Sequence, residues 1–526
     1  MSEVIAAPPP PPTASPSRHP VWIFAAIMAL MGLGFLALNF ESDFVIKTSA
    51  QHHRDTLQHA QLLAANLTAA PIVVEKIVEV VKTEIVEKIV IKEAPSAVDR
   101  TTAFTAHNYD ETTVHLVYST SCDQPNRHFL SAGLQVSASR IGHRGPITEI
   151  ISGCDESGVD RVGHEPSFYY DYHQHFSPSY SQHRGPNKTD YYTPYNKPFS
   201  LQHFLENAVA PVGVSGNMPL ALVDADFFFF QPLRVNTGKN ISQYYHGSAR
   251  QGQLVLDTVV DGQALAQDWT PYYGSGWFDP GSKDKKDAIC AGKPCADVSN
   301  EDGLEYYAGT GPPYILTKHD WVVMVDDYAN FVVEGRKLSD NWMVEMYAYG
   351  LAAGNHGIKH TIVSNLGATW PKVEERTWNF LPESDAEMAN PCDNTSLDVV
   401  MPADPPVAIH YCQKYGFLDE DDQGWHFYKY HIPYDILKCD AMLLQLPPPT
   451  QWTDIPALNL TGWKLRSKRH EVWAECSLGK IMNQVFLTVK EKLCPMGFNT
   501  HQGIPMSEPH KRDSALPGGV PKIKTP

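Results

Sequence analysis

Asp224 and Asp226 have the residue type and spacing in this chain best suited to chemistry. They close the apolar run Ala221-Leu222-Val223 and are followed by Phe227, Phe228, Phe229 and Phe230. A strand that ends in two carboxylates one residue apart delivers hard oxygen ligands to a divalent cation. Mn²⁺ or Mg²⁺ held there would bridge the diphosphate of a sugar nucleotide and offset charge developing on the leaving group. Ligands of α/β sheets lie outside the carboxyl ends of strands, which suits this placement. A strand-end turn or a helix cap would show the same pattern. A second pair, Asp419 and Asp421, sits in the polar stretch Leu-Asp-Glu-Asp-Asp-Gln-Gly and reads as a solvated acidic turn.

Three more side chains are candidates. His410 follows the short apolar run Val407-Ala408-Ile409, where an imidazole is either a satisfied core residue or a third ligand acceptable to Mn²⁺. Glu345 lies among apolar residues in a segment where Met343, Met346, Tyr347 and Gly350 repeat at helical spacing. A carboxylate there can bind sugar or acceptor hydroxyls, or stabilise an oxocarbenium-like centre. Asp340, at the start of that segment, is either a catalytic partner or the helix N-cap. The aromatic stretch 169–195 has too few aliphatic residues for a core strand and suits a long loop bordering a groove.

The elements that must position these groups are those of an α/β domain. Residues 113–119 alternate as a strand, 129–141 have helical spacing, and 147–152 form a second strand, a succession that predicts a parallel sheet. A further helix is expected over 199–208 after Pro198, and residues 220–223 read as a buried strand running into Asp224.

Net charge and hydropathy narrow the setting. At −17 over 526 residues the chain lacks the basic balance of an electrostatic nucleic-acid binder, and no nucleic-acid partner is expected. An acidic enzyme handling an anionic donor needs bound metal or local Lys and Arg. Residues 21–40 are uncharged and 20 long, enough for a helix to cross a bilayer of about 30 Å. With Arg18 before the run and Glu41 and Asp43 after it, a retained signal anchor with a cytosolic N-terminus is expected. Sequons at Asn66, Asn187, Asn240, Asn394 and Asn459, and all 9 cysteines, lie beyond it, as a lumenal domain with disulfide staples requires. None of the cysteines forms a Cys-x-x-Cys pattern. The division that follows is a cytosolic tail at 1–19, an anchor at 20–40, and a stem at 41–110. A catalytic domain then spans 111–445, a disulfide-bearing extension 446–506 and a tail 507–526. Residues 72–93 place apolar pairs between Glu and Lys, which fits a coiled coil, so the stem is a candidate oligomerisation element.

Several segments together resemble a known family. Tyr192-Thr-Pro-Tyr-Asn196-Lys197-Pro198, Asp224-Ala-Asp226, Gly311-Pro-Pro-Tyr-Ile-Leu, Trp342-Met-Val-Glu345-Met346-Tyr347-Ala348-Tyr349 and Ile409-His410-Tyr411 follow one another in this order. That is the order in plant and algal hydroxyproline O-arabinosyltransferases and the related peptidyl-serine α-galactosyltransferases. The resemblance spans roughly residues 112–494, and residues 473–494 are more similar to the serine branch. The four phenylalanines after Asp226 and the segment 269–300, with Cys290 and Cys295, differ from that pattern.

The resemblance implies a GT-A-type nucleotide-diphosphosugar transferase fold and a retaining transfer of a pentosyl or hexosyl group from a UDP-sugar to hydroxyproline or serine of secreted or cell-wall glycoproteins. Asp224 and Asp226 match the metal-binding motif, His410 matches a late histidine that completes the site, and Asn196 and Lys197 match a segment near the nucleotide. The expected setting is the Golgi or ER membrane, as a single-pass type II protein. Two other readings stand beside it: the same fold acting on a glycan or polysaccharide acceptor, and a non-catalytic, membrane-anchored lectin.

Overall fold

The strands at 147–152, 220–223, 227–229 and 310–316 are buried at every residue rather than at alternate ones, and this decides the architecture. Such strands must be covered on both faces, as in sheets sandwiched between helices. The computed structural model describes residues 109–184, 189–373, 376–382, 388–416 and 425–506. The two tails, the anchor, nearly all of the stem, the sequons at Asn66 and Asn187, and Asp419 and Asp421 lie outside the described residues. Among the described residues no helix is long and apolar enough to cross a membrane.

In chain order the elements are β1 (His115–Ser121), α1 (Arg127–Arg140), β2 (Ile147–Ser152), α2 (Glu156–Gly163), β3 (Tyr172–Ser177), α3 (Asn196–Asn207), β4 (Leu220–Val223) and β5 (Phe227–Phe229). There follow β6 (Gln263–Asp268), β7 (Thr310–Leu316), α4 (Lys318–Leu338), α5 (Val344–Asn355), β8 (Lys359–Val363), β9 (Ala408–His410) and α6 (Trp463–Leu493). The central sheet has 7 strands in the order β8-β6-β7-β4-β1-β2-β3. The expected parallel sheet is present from β3 through β4, and β8 is parallel to β6, but β7 runs against both its neighbours. β7 also carries Pro312 and Pro313, which lack ladder donors. The register passes over both of them, through a bulge opposite Ala266 and Gln267.

Alternate residues of each strand feed opposite cores. Val117, Leu220, Leu222 and Tyr314 face one, with α4 and α5 packed on it. Leu116, Tyr118, Ala221 and Ile315 face the other, which holds the Phe227–Phe229 strand and the α6 residues Trp473, Met482 and Phe486. Residues 446–506 therefore share the core of the sheet. The Trp321 indole of α4 donates to the Leu220 carbonyl at 3.0 Å and fixes that helix against β4.

The expected loop over 169–195 is corrected. Residues 172–177 form β3, the edge strand paired in parallel with β2, and Gln182–Arg184 pairs with Thr189–Tyr191. An edge strand is only half buried, so tyrosines and histidines serve where a central strand needs aliphatics. Tyr172 turns its hydroxyl inward to the buried Glu149, which also accepts from Thr120, Ser131 and Arg127.

Four disulfides join Cys122–Cys154, Cys290–Cys295, Cys392–Cys476 and Cys439–Cys494. The first ties the carboxyl ends of β1 and β2 together. Closing loops of different length, they differ in how much they restrict the unfolded chain. Removing Cys392–Cys476, with a sequence separation of 84, is expected to cost about 4.5 kcal/mol, against about 2 kcal/mol for Cys290–Cys295, separated by 5. Urea unfolding of the two double Cys→Ala variants under non-reducing conditions checks this; equal losses would contradict it.

Candidate active site

β4 runs fully buried to Val223 and delivers Asp224 and Asp226 at the carboxyl edge of the sheet. The strand order reverses between β1 and β4, the place where open α/β sheets bind ligands. After Asp226 the chain enters β5, which pairs antiparallel with β9 so that His410 lies opposite Phe227 and Ile409 opposite Phe228. This register brings a histidine from 184 residues away to the second aspartate. The Tyr411 N–H closes the ladder onto the Asp226 carbonyl at 3.0 Å. A one-residue slip would present Ile409 instead.

His410 Nε2 lies 3.1 Å from Asp226 Oδ1 and 3.5 Å from Asp224 Oδ2. One ligand atom from each of the three residues falls within 4.8 Å of the others. The imidazole lies between two aromatic planes, Phe227 at 4.6 Å and Trp269 at 5.3 Å between centroids. Its Nδ1 is buried with no hydrogen-bond partner, so stacking rather than an outer hydrogen bond holds the ring plane. Gly311 makes the stack possible, because a Cβ there would meet the Trp269 ring at 2.2 Å. Two carboxylates and an imidazole nitrogen, converging and largely shielded from water, fit a divalent cation of the Mn²⁺ or Mg²⁺ type.

Two lysines complete the electrostatics. Lys197 Nζ lies 2.8 Å from Asp224 Oδ1 and 3.4 Å from Glu345 Oε2. Lys429 pairs with Asp226 Oδ2. Burial opposes ionisation of Asp226, but Lys429 and His410 outweigh it and hold the carboxyl well below the usual carboxylate range. Burial also opposes charge on both lysines, and the facing carboxylates outweigh it and raise their pKa. Glu345 goes the other way: burial pushes it up, offset in part by Lys197 and by the Tyr328 hydroxyl that donates to it. Tyr192 anchors the same turn, accepting from the Glu345 N–H at 3.0 Å and donating to the Trp342 carbonyl.

The structure thus brings Asp224, Asp226, His410, Lys197 and Glu345 into one cluster. Asn196 stands behind it. Its amide donates to Ser121 and Ser181 and accepts from the Tyr180 N–H, so it ties the end of β1 to the chain entering α3. Asp340 lies apart: its side chain is 88% exposed and 3.6 Å from Arg336. It is not the cap of the helix either, since α5 begins at Val344 with Met343 as its N-cap. Lys429 and Trp269 went unmarked in the sequence. A lysine set among aromatics in Trp425-His-Phe-Tyr-Lys429-Tyr-His was the signal for the first.

No protein-family model matches the sequence, and no curated protein matches it. Among solved structures the chain is similar to the crystal structure of an active-site mutant of LgtC, at 10% identity and a TM-score of 0.31, over 59% of this chain and 91% of that one. A TM-score of that size does not establish a shared fold.

Mn²⁺ is expected to raise the melting temperature of the full chain, by about 2.7 kcal/mol of added stability at a hundredfold excess over its Kd. Asp226→Asn should lose this shift. It should also cost about 3 kcal/mol by leaving Lys429 buried without its counter-charge. Adding Lys429→Met should restore stability and leave the Mn²⁺ shift absent. Thermal melts with and without Mn²⁺ check all three; a shift that survives in Asp226→Asn removes that residue from the ligand set.

Proposed function

We propose that this chain is a retaining, metal-dependent glycosyltransferase with a GT-A-type fold, moving a pentosyl or hexosyl group from a UDP-sugar to hydroxyproline or serine of secretory-pathway glycoproteins. The observation that carries the reading is the convergence of Asp224, Asp226 and His410 at the strand-order reversal, flanked by Lys197 and Lys429. The cluster's three carboxylates and two lysines sum to −1, and a dication turns that to +1, complementary to a diphosphate. The acceptor class rests on the resemblance of the ordered segments from Tyr192 to Tyr411.

Asp224, Asp226 and His410 would hold a divalent cation, which would supply positive charge opposite a leaving diphosphate. Lys197, which bridges Asp224 and Glu345, and Lys429, paired with Asp226, are placed to exchange a carboxylate partner for a phosphate oxygen. In a retaining transfer the acceptor hydroxyl approaches from the leaving-group face and gives its proton to the departing phosphate. Glu345, held by Tyr328 and by the Tyr192 contact to its backbone, shares Lys197 with Asp224 and stands outside the metal ligands. Its role is to orient a sugar hydroxyl or to stabilise positive charge at the anomeric carbon.

A type II Golgi or ER membrane protein with a lumenal catalytic domain is part of the same proposal. The uncharged run at 21–40, the four disulfides, and the exposure of Asn240, Asn394 and Asn459 support it.

The test is a screen of UDP-sugars with the full chain in detergent, reading Mn²⁺-dependent sugar release and transfer to serine and hydroxyproline peptides. Asp224→Ala and Asp226→Ala should each lower turnover by roughly 100-fold or more, the equivalent of several kcal/mol of transition-state charge stabilisation. Turnover that persists in both variants, or that ignores chelation of metal, would sink the reading.

A further inference from the structure

Residues 236–242 run antiparallel to 253–259. The Ile241 N–H donates to the Val255 carbonyl at 2.8 Å, the Asp257 N–H donates to the Lys239 carbonyl at 3.2 Å, and Asn240 pairs with Leu256 between them. Side chains alternate along such a pair, and residues directly opposite share a face. Ile241, Val255 and Val259 point inward and join the core cluster of β5 and α6. Asn240, Leu254 and Leu256 take the outward face. The outer face of a half-exposed antiparallel pair ordinarily carries polar side chains. Here it carries two leucines, 66% and 36% exposed.

Asn240 also opens the sequon Asn240-Ile241-Ser242. It is exposed, its Oδ1 accepts from the Ser242 N–H at 3.0 Å, and its Nδ2 donates to no group among the described residues. The other two described sequons differ. Asn394 Nδ2 donates to the Pro447 carbonyl at 2.8 Å, and Asn459 Nδ2 donates to the Ala457 carbonyl at 3.3 Å. A sugar on Asn240 therefore displaces no hydrogen bond. Ser242 ties the sequon to the leucines: its hydroxyl donates to the Gln253 carbonyl at 3.0 Å and accepts from the Val255 N–H at 2.8 Å. Those are the peptide groups on either side of Leu254. Directly opposite residues of an antiparallel pair lie about 4.5–5.5 Å apart at Cβ. A first sugar on Asn240 thus stands over Leu256 and reaches Leu254.

We propose that Asn240 carries an N-linked glycan and that its innermost N-acetylglucosamine lies over Leu254 and Leu256 as their cover. The donor is an oligosaccharide carried on a lipid pyrophosphate. Asn240 Nδ2 attacks C1 of the reducing-end N-acetylglucosamine, and the N–C1 bond forms as the C1–O bond to the pyrophosphate breaks. The lipid pyrophosphate leaves with the electron pair, and the amide gives one proton to a base of the transferring enzyme. The carbon-bound hydrogens and acetyl methyl of the sugar then meet the leucines while its hydroxyls face water, so the apolar strip becomes polar surface. The inference rests on the lumenal part of the function reading, because the lipid-linked donor is met there.

The test uses the full chain, made in cells that N-glycosylate and purified in detergent. Digestion with peptide N-glycosidase in heavy-oxygen water converts each glycosylated asparagine to a heavy-labelled aspartate, read by peptide mass spectrometry. Asn240 should carry the label. Hydroxyl-radical footprinting of the folded protein before and after deglycosylation then reads the two leucines. Their oxidation should rise by about twofold or more on removal of the glycan, as apolar area opens to water. Leu338, exposed at the end of α4, should not change. Asn240→Gln should match the deglycosylated protein, and Ser242→Thr, which keeps both the sequon and the hydroxyl, should match the glycosylated one. An unlabelled Asn240 beside a labelled Asn394 or Asn459 overturns the proposal and leaves the lumenal reading standing. Leucine oxidation indifferent to deglycosylation overturns the cover. A chain with no label at any sequon removes the lumenal reading and the proposal with it.

Discussion

A carboxylate taken out of water needs a cation, and at the end of β4 two of them lie one residue apart. The arrangement around them follows from that requirement. Lys197 reaches Asp224 from the start of α3, Lys429 reaches Asp226 from 203 residues further along the chain, and His410 stands against both. Burying so much charge gives little net stability, because desolvation consumes most of what the pairing returns. What it provides is a cluster whose partners can be exchanged, with positive groups already aimed at the space that an anion would enter.

The rest of the fold serves to hold that cluster in register. The β5–β9 ladder is only 3 residues long, yet it decides which side chain faces Asp226. Its own placement depends on the phenylalanines of β5, buried against Tyr411 and α6. On the other flank, β7 turns against its neighbours, and the bulge that accommodates its prolines lies beside Gly311, where the Trp269 ring must lie flat. Irregularity in the sheet is thus concentrated next to the chemistry, where a bulge re-aims side chains.

Features carried by local sequence were the legible ones. The strand at 147–152 and the buried run 220–223 have the observed bounds, and the two helices beginning near 129 and 199 are displaced by a few residues at their starts. Asp224 and Asp226 were legible because an apolar strand followed at once by paired carboxylates needs no distant partner to be recognised. His410 could be singled out as a histidine after a short strand, but its alliance with Asp226 depends on a pairing between distant segments, which spacing does not encode. Lys429 was hidden for the same reason. Asp340 and the aromatic stretch misled for a different one: a helix start is fixed by the backbone geometry of Met343, and an edge strand tolerates side chains that a central strand does not.

Helix α6 was described as part of the core beneath the central sheet, and its position in the chain bears on how the protein is made. Trp473, Met482 and Phe486 enter the same packed cluster as Phe228 and Tyr411, yet they leave the ribosome long after β5 and β9. Until they emerge, the face of the sheet that carries β5 and β9 has no complete cover, and the histidine ladder has nothing to press it home. The segments before α6 can collapse during synthesis, but the site is fully covered only once α6 has emerged. An acidic, cation-seeking cluster is therefore locked in place by residues made well after the aspartates that open it.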